Sequence, residues 1–145
     1  MKIKLLTILL TLLPLMTWAQ GTTAGDETNA EPYAVLSDTN TVLTFYYDDQ
    51  KTTRNGLEVG PFNGDGIQTW YWQRESIINA VFDSSFANCS SITSTAHWFN
   101  GCKNMSSVSG IQYLKTDNVT DMKDMFSYCR KLRSEERRVG KECRS

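Results

Sequence analysis

Two runs of β-branched and aromatic side chains mark the point where the hydrophobic pattern of the chain first becomes regular. These runs, at positions 33–36 and 41–47, are rich in residue types that favour strands. Positions 37–40, Ser-Asp-Thr-Asn, lie between them and carry short polar side chains that hydrogen-bond to nearby backbone in turns. The pattern predicts a β-hairpin.

Further apolar runs follow, separated by glycine-containing turns. Turns are predicted at Asn55-Gly56 and over 63–66, Asn-Gly-Asp-Gly. Strands are predicted between and after these turns, at 57–59, 68–72 and 77–82. Together with the hairpin, they predict a small, mainly β unit over residues 33–82.

A Phe-x-x-Cys-x-x-apolar pattern then occurs three times, beginning at Phe86, Phe99 and Phe126. The second start is thirteen positions after the first, and the third is twenty-seven positions after the second. The predicted repeat core over residues 83–132 consists of Phe86, Cys89, Ile92, Phe99, Cys102, Met105, Val119, Met122, Phe126, Cys129 and Leu132. Each repeat would bury its apolar face against the next repeat.

The last unit has an apolar spacing of three, four and three positions. Val119, Met122, Phe126 and Cys129 would then share one face of a short helix that begins after Asn118. The same register occurs twenty-seven positions earlier, at Ile92, Thr95, Phe99 and Cys102. Between the two helices, apolar residues recur every third position, at Met105, Val108, Ile111 and Leu114, which fits an arc with short strands.

The predicted fold class is therefore α+β: a small N-terminal β unit followed by an incomplete, leucine-rich-repeat-like solenoid of short strands and short helices. In such a stack Cys89, Cys102 and Cys129 would occupy equivalent positions. Two interpretations stay open, a Cys102–Cys129 disulfide and a ladder of packed thiols. The fourth cysteine, Cys143, lies in the tail discussed next.

The two ends of the chain differ from the rest. Residues 1–19 combine Lys2 and Lys4 with a short apolar run and small residues before position 20, the pattern of a secretory signal peptide. Residues 20–32 have little to bury and are predicted to be a disordered lead-in. Residues 133–145 resemble the translation of a sequencing-library adapter and are interpreted as a non-native tail, with a charged terminal helix as the alternative.

Charge narrows the classes of partner. Residues 20–132 contain eight Lys or Arg and thirteen Asp or Glu, a net charge of minus five. An acidic chain without a basic cluster disfavours nucleic-acid binding. With the signal peptide, it predicts a secreted or cell-surface protein that has no transmembrane segment after signal cleavage.

The sequence is poor in catalytic constellations. His97 is the only histidine, and the pattern supplies neither a partner base, a zinc spacing, nor a phosphate-binding loop. Asp48-Asp49 could hold a cation, but it lacks the spacing of a calcium loop, which favours a solvated turn. The sequence predicts a non-enzymatic protein without cofactor, catalytic residues or metal.

The most distinctive aromatic group is Trp70-Tyr71-Trp72. On a strand, alternation would place both indoles on one face and Tyr71 on the other. Trp70 and Trp72 would then form a platform that stacks on a sugar ring, a carbohydrate-binding hypothesis. The alternative is that these rings pack in the core of the β unit.

The repeat over positions 118–132, Asn-Val-Thr-Asp-Met-x-x-Met-Phe-x-x-Cys-x-x-Leu, resembles the BspA-like leucine-rich-repeat surface proteins of bacteria, the bacterial surface protein 26-residue repeat family. Segments around Phe82, Trp98 and Gly110 are similar to lead-in segments of members from Bacteroidetes. The resemblance implies an exported, non-enzymatic repeat protein that binds or adheres to extracellular host or microbial proteins or glycans. The alternative is a structural spacer that displays another domain, lost here by truncation.

Overall fold

A four-stranded mixed sheet organises the part of the chain that the computed structural model describes, residues 29–62 and 67–132. Its strands are β1 (Glu31–Leu36), β2 (Val42–Asp48), β3 (Asn79–Phe82) and β4 (Ser107–Ser109), and they are ordered β1-β2-β3-β4. β1 and β2 are antiparallel, whereas β2, β3 and β4 run parallel. With its short helical turns, the fold is a small mixed α/β fold.

The predicted hairpin is confirmed. The Ser37 N–H donates to the Val42 carbonyl at 2.9 Å, and the Ser37 hydroxyl accepts from the N–H groups of Thr41 and Val42. Asn40 adopts a left-handed φ of 55°, a conformation that asparagine tolerates well. β1 begins at Glu31, inside the end of the predicted lead-in, because Glu31 pairs with Asp48 across the sheet.

Of the other three predicted strands, only one is present as a strand. The strand predicted at 77–82 is confirmed as β3, but the strand predicted at 57–59 is reduced to a single bridge between Leu57 and Ala34. The strand prediction at 68–72 was wrong, because this segment ends in a 3-10 helix, Tyr71–Gln73. Two more 3-10 helices, Ser84–Asn88 and Ile111–Tyr113, follow β3 and β4.

Regularly spaced backbone hydrogen bonds join segments that are distant in the sequence. The N–H groups of Thr95, His97, Phe99 and Gly101 donate to the carbonyls of Asp121, Lys123, Met125 and Ser127, at 2.8–2.9 Å. The Ser106 N–H likewise donates to the Ile78 carbonyl, just before β4 pairs with β3. Successive segments of similar length therefore lie side by side as layers.

The helix predicted after Asn118 was wrong. Residues 123–128 form successive turns, because Asp124 and Tyr128 have φ values of 56° and 62°, which interrupt a right-handed helix. The predicted register between the last two units nevertheless holds, since their counterparts His97 and Gly101 also have positive φ. The turns, rather than helices, repeat.

One hydrophobic core contains residues from both predicted units. Eight of the predicted repeat-core residues are buried: Phe86, Cys89, Ile92, Phe99, Cys102, Met105, Cys129 and Leu132. Val119, Met122 and Phe126 are only half-buried, and Met125 is buried beside them. In this last layer the turn geometry directs Met125 inward, which the helical spacing did not anticipate.

The first and second occurrences of the Phe-x-x-Cys pattern are not structurally equivalent. Phe86 lies in the 3-10 helix after β3, and its N–H donates to the Asp83 carbonyl. The equivalent position in the next layer is Leu114, whose N–H donates to the Ile111 carbonyl after β4. Phe99 instead lies in the layered turns and stacks on Phe126, with ring centroids 5.2 Å apart.

Some sequence predictions concern residues outside the described ranges. These are the signal peptide (1–19), most of the lead-in (20–32), the turn at 63–66 and the tail (133–145). Within the described ranges, none of the helices has the length and apolar composition to span a bilayer.

Candidate functional site

Trp70 and Trp72 lie in opposite environments, so the predicted two-indole platform was wrong. Trp70 is fully buried, whereas Trp72 is 82% exposed. A 3-10 helix has about three residues per turn, so side chains two positions apart do not share a face as they would on a strand. Only one of the two rings can therefore meet a partner.

Trp70 belongs to the core. Its Nε1 donates to the Trp98 carbonyl at 2.9 Å, which satisfies the only polar atom of the buried indole. Its ring makes edge contacts with Phe45 and Phe62, at centroid distances of 5.8 and 5.6 Å. The packing interpretation of the sequence is thus correct for Trp70.

Trp72 is held at the surface by its neighbours. Its ring contacts Tyr71 edge to face at 5.2 Å, and the Arg74 guanidinium lies 3.7 Å from the Tyr71 ring centroid. Arg74 also donates from Nη1 to the Tyr71 carbonyl at 2.7 Å. We call Tyr71, Trp72 and Arg74 the Trp72 cluster. In this cluster the exposed indole packs against Tyr71, which is itself held by Arg74.

A polar groove with a volume of about 530 Å³ opens where the three parallel strands begin. Its lining comes from the residues just before each strand: Thr39 and Thr41 before β2, Ser76 and Ile78 before β3, and Asn104 and Ser106 before β4, together with Glu75 and Lys131. Glu75 follows Trp72 closely along the chain, so the groove and the Trp72 cluster are neighbours in sequence.

Hydrogen bonds between layers fix the groove. The Asn104 Nδ2 donates to the Glu75 carbonyl at 2.7 Å, and the Lys103 Nζ lies 2.7 Å from the Glu75 Oε1. The hydrogen bond from Lys103 and its charge lower the pKa of Glu75, which stays ionised.

No motif in the sequence predicted this groove, because its residues come from separate segments. Glu75, Lys103 and Lys131 recur at equal intervals along the chain, close to the interval between the layers. This regular spacing of charged residues is the signal that would have found the groove.

Asp48 was a candidate cation ligand, but its carboxylate oxygens accept hydrogen bonds from other side chains. Its carboxylate accepts from the Tyr33 hydroxyl at 2.6 Å and from Arg54 Nη1 at 2.8 Å, while Arg54 also donates to the Tyr33 oxygen. Asp49 accepts from the Gln50 side chain. This network joins the segment after β2 to the hairpin, so its role is structural.

The hydrogen-bond network of Tyr33, Asp48 and Arg54 makes the free energy of unfolding depend on pH in the alkaline range. Burial, and then the hydrogen bond and charge of Asp48, raise the pKa of Tyr33 to about 12. The unfolded chain loses this proton near pH 10. Stability is therefore complete below about pH 10 and falls as the pH rises toward 12. Urea unfolding at several pH values should show this loss, and Tyr33→Phe should show less of it.

The exposed Tyr128→Phe variant serves as the matched control for Tyr33→Phe. It should retain the alkaline loss of the parent protein. If Tyr33→Phe loses stability as steeply as the parent over the same alkaline range, Tyr33 is not the titrating group.

His97 has no catalytic partner in the described part of the chain. Its Nδ1 lies 3.2 Å from the Asn100 Nδ2, and its carbonyl accepts from the Gln68 side chain. Its backbone φ of 61° matches that of Asp124 in the next layer, which points to a turn role. Among residues 29–62 and 67–132, no group of three or more His, Cys, Asp or Glu is placed to hold a metal ion.

The cysteines are buried thiols. The Cys129 Sγ donates to the Phe99 carbonyl at 3.0 Å, and Cys102 and Cys129 are not bridged to each other. Burial, and then the neighbouring Cys129, raise the pKa of Cys102 to about 12, so this thiol stays neutral. Cys89 is likewise buried and unbridged, and its Sγ lies 3.5 Å from the Ser91 hydroxyl.

Comparison with known proteins gives no match: no protein-family model fits the chain, and neither a curated protein nor a solved structure is significantly similar to it.

Proposed function

We propose that this chain is an exported, cell-surface or secreted repeat protein of the BspA-like type, which binds extracellular protein or glycan partners without catalysing a reaction. The observation that carries this proposal is the 82% exposed Trp72, held by Tyr71 and Arg74 on a layered scaffold. Exposed tryptophan is uncommon, and aromatic side chains are enriched where proteins contact partners.

The layered backbone supports the repeat part of the proposal. Parallel hydrogen bonds join one layer to the next, and left-handed residues occur at corresponding positions, as at His97 and Asp124. A leucine-rich-repeat-like solenoid would have such nearest-neighbour layers, each covering the apolar face of the one before it. Solenoids commonly use their extended concave surfaces to bind partners.

The polar groups support a binding role over an enzymatic one. Asp48 and Arg54 are engaged with Tyr33, and the Cys102 thiol is neutral and buried. A nucleophile needs an adjacent base and a positioning group. The described residues supply polar and aromatic surface instead.

The proposal is tested by binding of the purified protein to immobilised mucin and to a panel of extracellular matrix proteins. Trp72→Ala should lower binding to the recognised partner about tenfold or more, as expected for an aromatic hot spot. The variant should fold normally, because substitution of an exposed side chain changes stability by less than about 0.5 kcal/mol.

Tyr128→Ala is the matched control, because Tyr128 is also aromatic and 69% exposed but lies in the last layer, outside the Trp72 cluster. Equal losses in both variants would indicate non-specific adhesion rather than a site. Absence of any binding by the folded parent protein would favour the structural-spacer alternative.

A further inference from the structure

Basic residues cluster along the sequence at the segments that line the polar groove, although the described chain is acidic overall. Four of its eight Lys and Arg residues either line the groove or directly precede a residue that does: Arg74, Lys103, Arg130 and Lys131. By the same criterion only two acidic residues, Asp38 and Glu75, lie there. These six residues together carry a net charge of plus two, while the other described residues carry minus four.

The charges at the groove are not all neutralised by partners. Glu75 pairs with Lys103, but Lys131 makes no ion pair with any residue the structure describes. Elsewhere, Lys51 is held by Glu31 and Glu58, and Arg54 by Asp48. Lys131 is therefore a groove residue whose ammonium has no ion-pair partner among the described residues and can contact a ligand.

The groove walls have the chemistry of a sugar site. Hydroxyl groups of Thr39, Thr41, Ser76 and Ser106 and the amide of Asn104 surround it. These groups can both donate and accept hydrogen bonds, as the hydroxyls of a saccharide require. Ile78, 42% exposed, adds an apolar contact, and the volume of about 530 Å³ falls in the usual range for small-ligand sites.

We propose that the polar groove binds an anionic saccharide, with Lys131 contacting its carboxylate or sulfate group and the groove hydroxyls contacting the ring. This inference rests on the proposed partner-binding function and names the ligand class. A nucleic acid fits less well, because its many phosphates need a longer cationic track than one groove on an acidic chain.

The experiment measures binding of the purified protein to three oligosaccharide probes by calorimetry. Galacturonate oligomers carry carboxylates, chondroitin sulfate oligomers also carry sulfates, and dextran oligomers are neutral. One or both anionic probes should bind, more weakly at about 300 mM than at about 50 mM salt, and dextran at least about tenfold more weakly. Lys131→Ala should weaken binding about tenfold, the loss of one charge-assisted contact.

Lys115→Ala is the matched control, because Lys115 is exposed and follows the carboxyl end of β4, away from the groove at the amino ends of the strands. An equal loss in both lysine variants, or binding of dextran as strong as that of the anionic probes, overturns the inference. So does equally tight, Lys131-dependent binding of single-stranded DNA.

The two proposals fail in different ways. If no saccharide probe binds but the protein captures mucin or a matrix protein in a Trp72-dependent manner, the groove inference is wrong and the proposed function stands. If the folded protein binds nothing in either experiment, both are wrong.

Discussion

Replacing Phe45 with alanine is expected to lower the free energy of unfolding by about 3–5 kcal/mol, the cost of removing a fully buried phenylalanine. Phe45 lies at the centre of the aromatic core and contacts five other rings: Trp70, Phe82, Phe86, Trp98 and Phe99. Its closest stacking partners are Phe82 at 4.6 Å and Trp98 at 4.9 Å. Since small domains are stable by roughly 5–15 kcal/mol, this loss is a large fraction of the total free energy of unfolding.

Urea unfolding followed by fluorescence of the buried Trp70 and Trp98 measures this loss. Phe126→Ala is the matched control, because Phe126 is half-buried and its one observed ring contact within the described ranges is to Phe99. It should cost less than half as much. Similar losses in the two variants would show that Phe45 is not the centre of the core.

Gly110→Ala is expected to destabilise the protein by more than about 3 kcal/mol. Gly110 has a φ of 70°, in the left-handed region where a side chain is strained. A Cβ at this position would lie 2.1 Å from the Phe82 carbonyl oxygen, a backbone atom in the preceding layer. Relief of this overlap requires β3 and the segment after β4 to move apart, so the pairing of β3 with β4 should weaken as well.

Gly101→Ala is the control for Gly110→Ala. Gly101 has a similar φ of 78°, but the atoms nearest to its added Cβ belong to the Arg74 side chain, at 3.0–3.1 Å, which can move. Only the conformational cost of about 1–2 kcal/mol should remain. Thermal unfolding of both variants separates the effects, and equal melting temperatures would refute the backbone overlap.

The parts of the fold that depend on neighbouring residues could be predicted from the sequence. The hairpin followed from strand-forming runs around Ser37 and Asn40, whose side chains and backbone favour a turn. The register between the last two units was also visible, because Phe99 and Phe126 are the same residue type at corresponding positions and do stack.

The parts that depend on tertiary contacts could not be predicted. Positions 68–72 have aromatic side chains typical of strands, yet the buried indole of Trp70 reaches the Trp98 carbonyl from a turn. The spacing of Val119 and Phe126 suits either a helix or a coil of turns, and Tyr128 adopts a φ that its residue type rarely takes.

Apart from the regular spacing of Glu75, Lys103 and Lys131, the sequence carries no signal of the groove, for the same reason. Thr39, Ser76 and Asn104 come from three segments and meet only after the sheet has formed. No local pattern marks these residues, because each is an ordinary polar residue just before a strand.

The mixed sheet has a consequence for how such a protein can change over evolutionary time. The antiparallel β1 closes one side of the parallel ladder, while β3 and β4 are joined by a register that pairs Asn79 with Ser107. Duplication of the stretch between such paired positions would add a strand beside β4 without disturbing the hairpin, because β4 lies at the opposite edge of the sheet from β1. Proteins with different numbers of such strands could thus arise by recombination. Every additional strand would lengthen the surface available for contact.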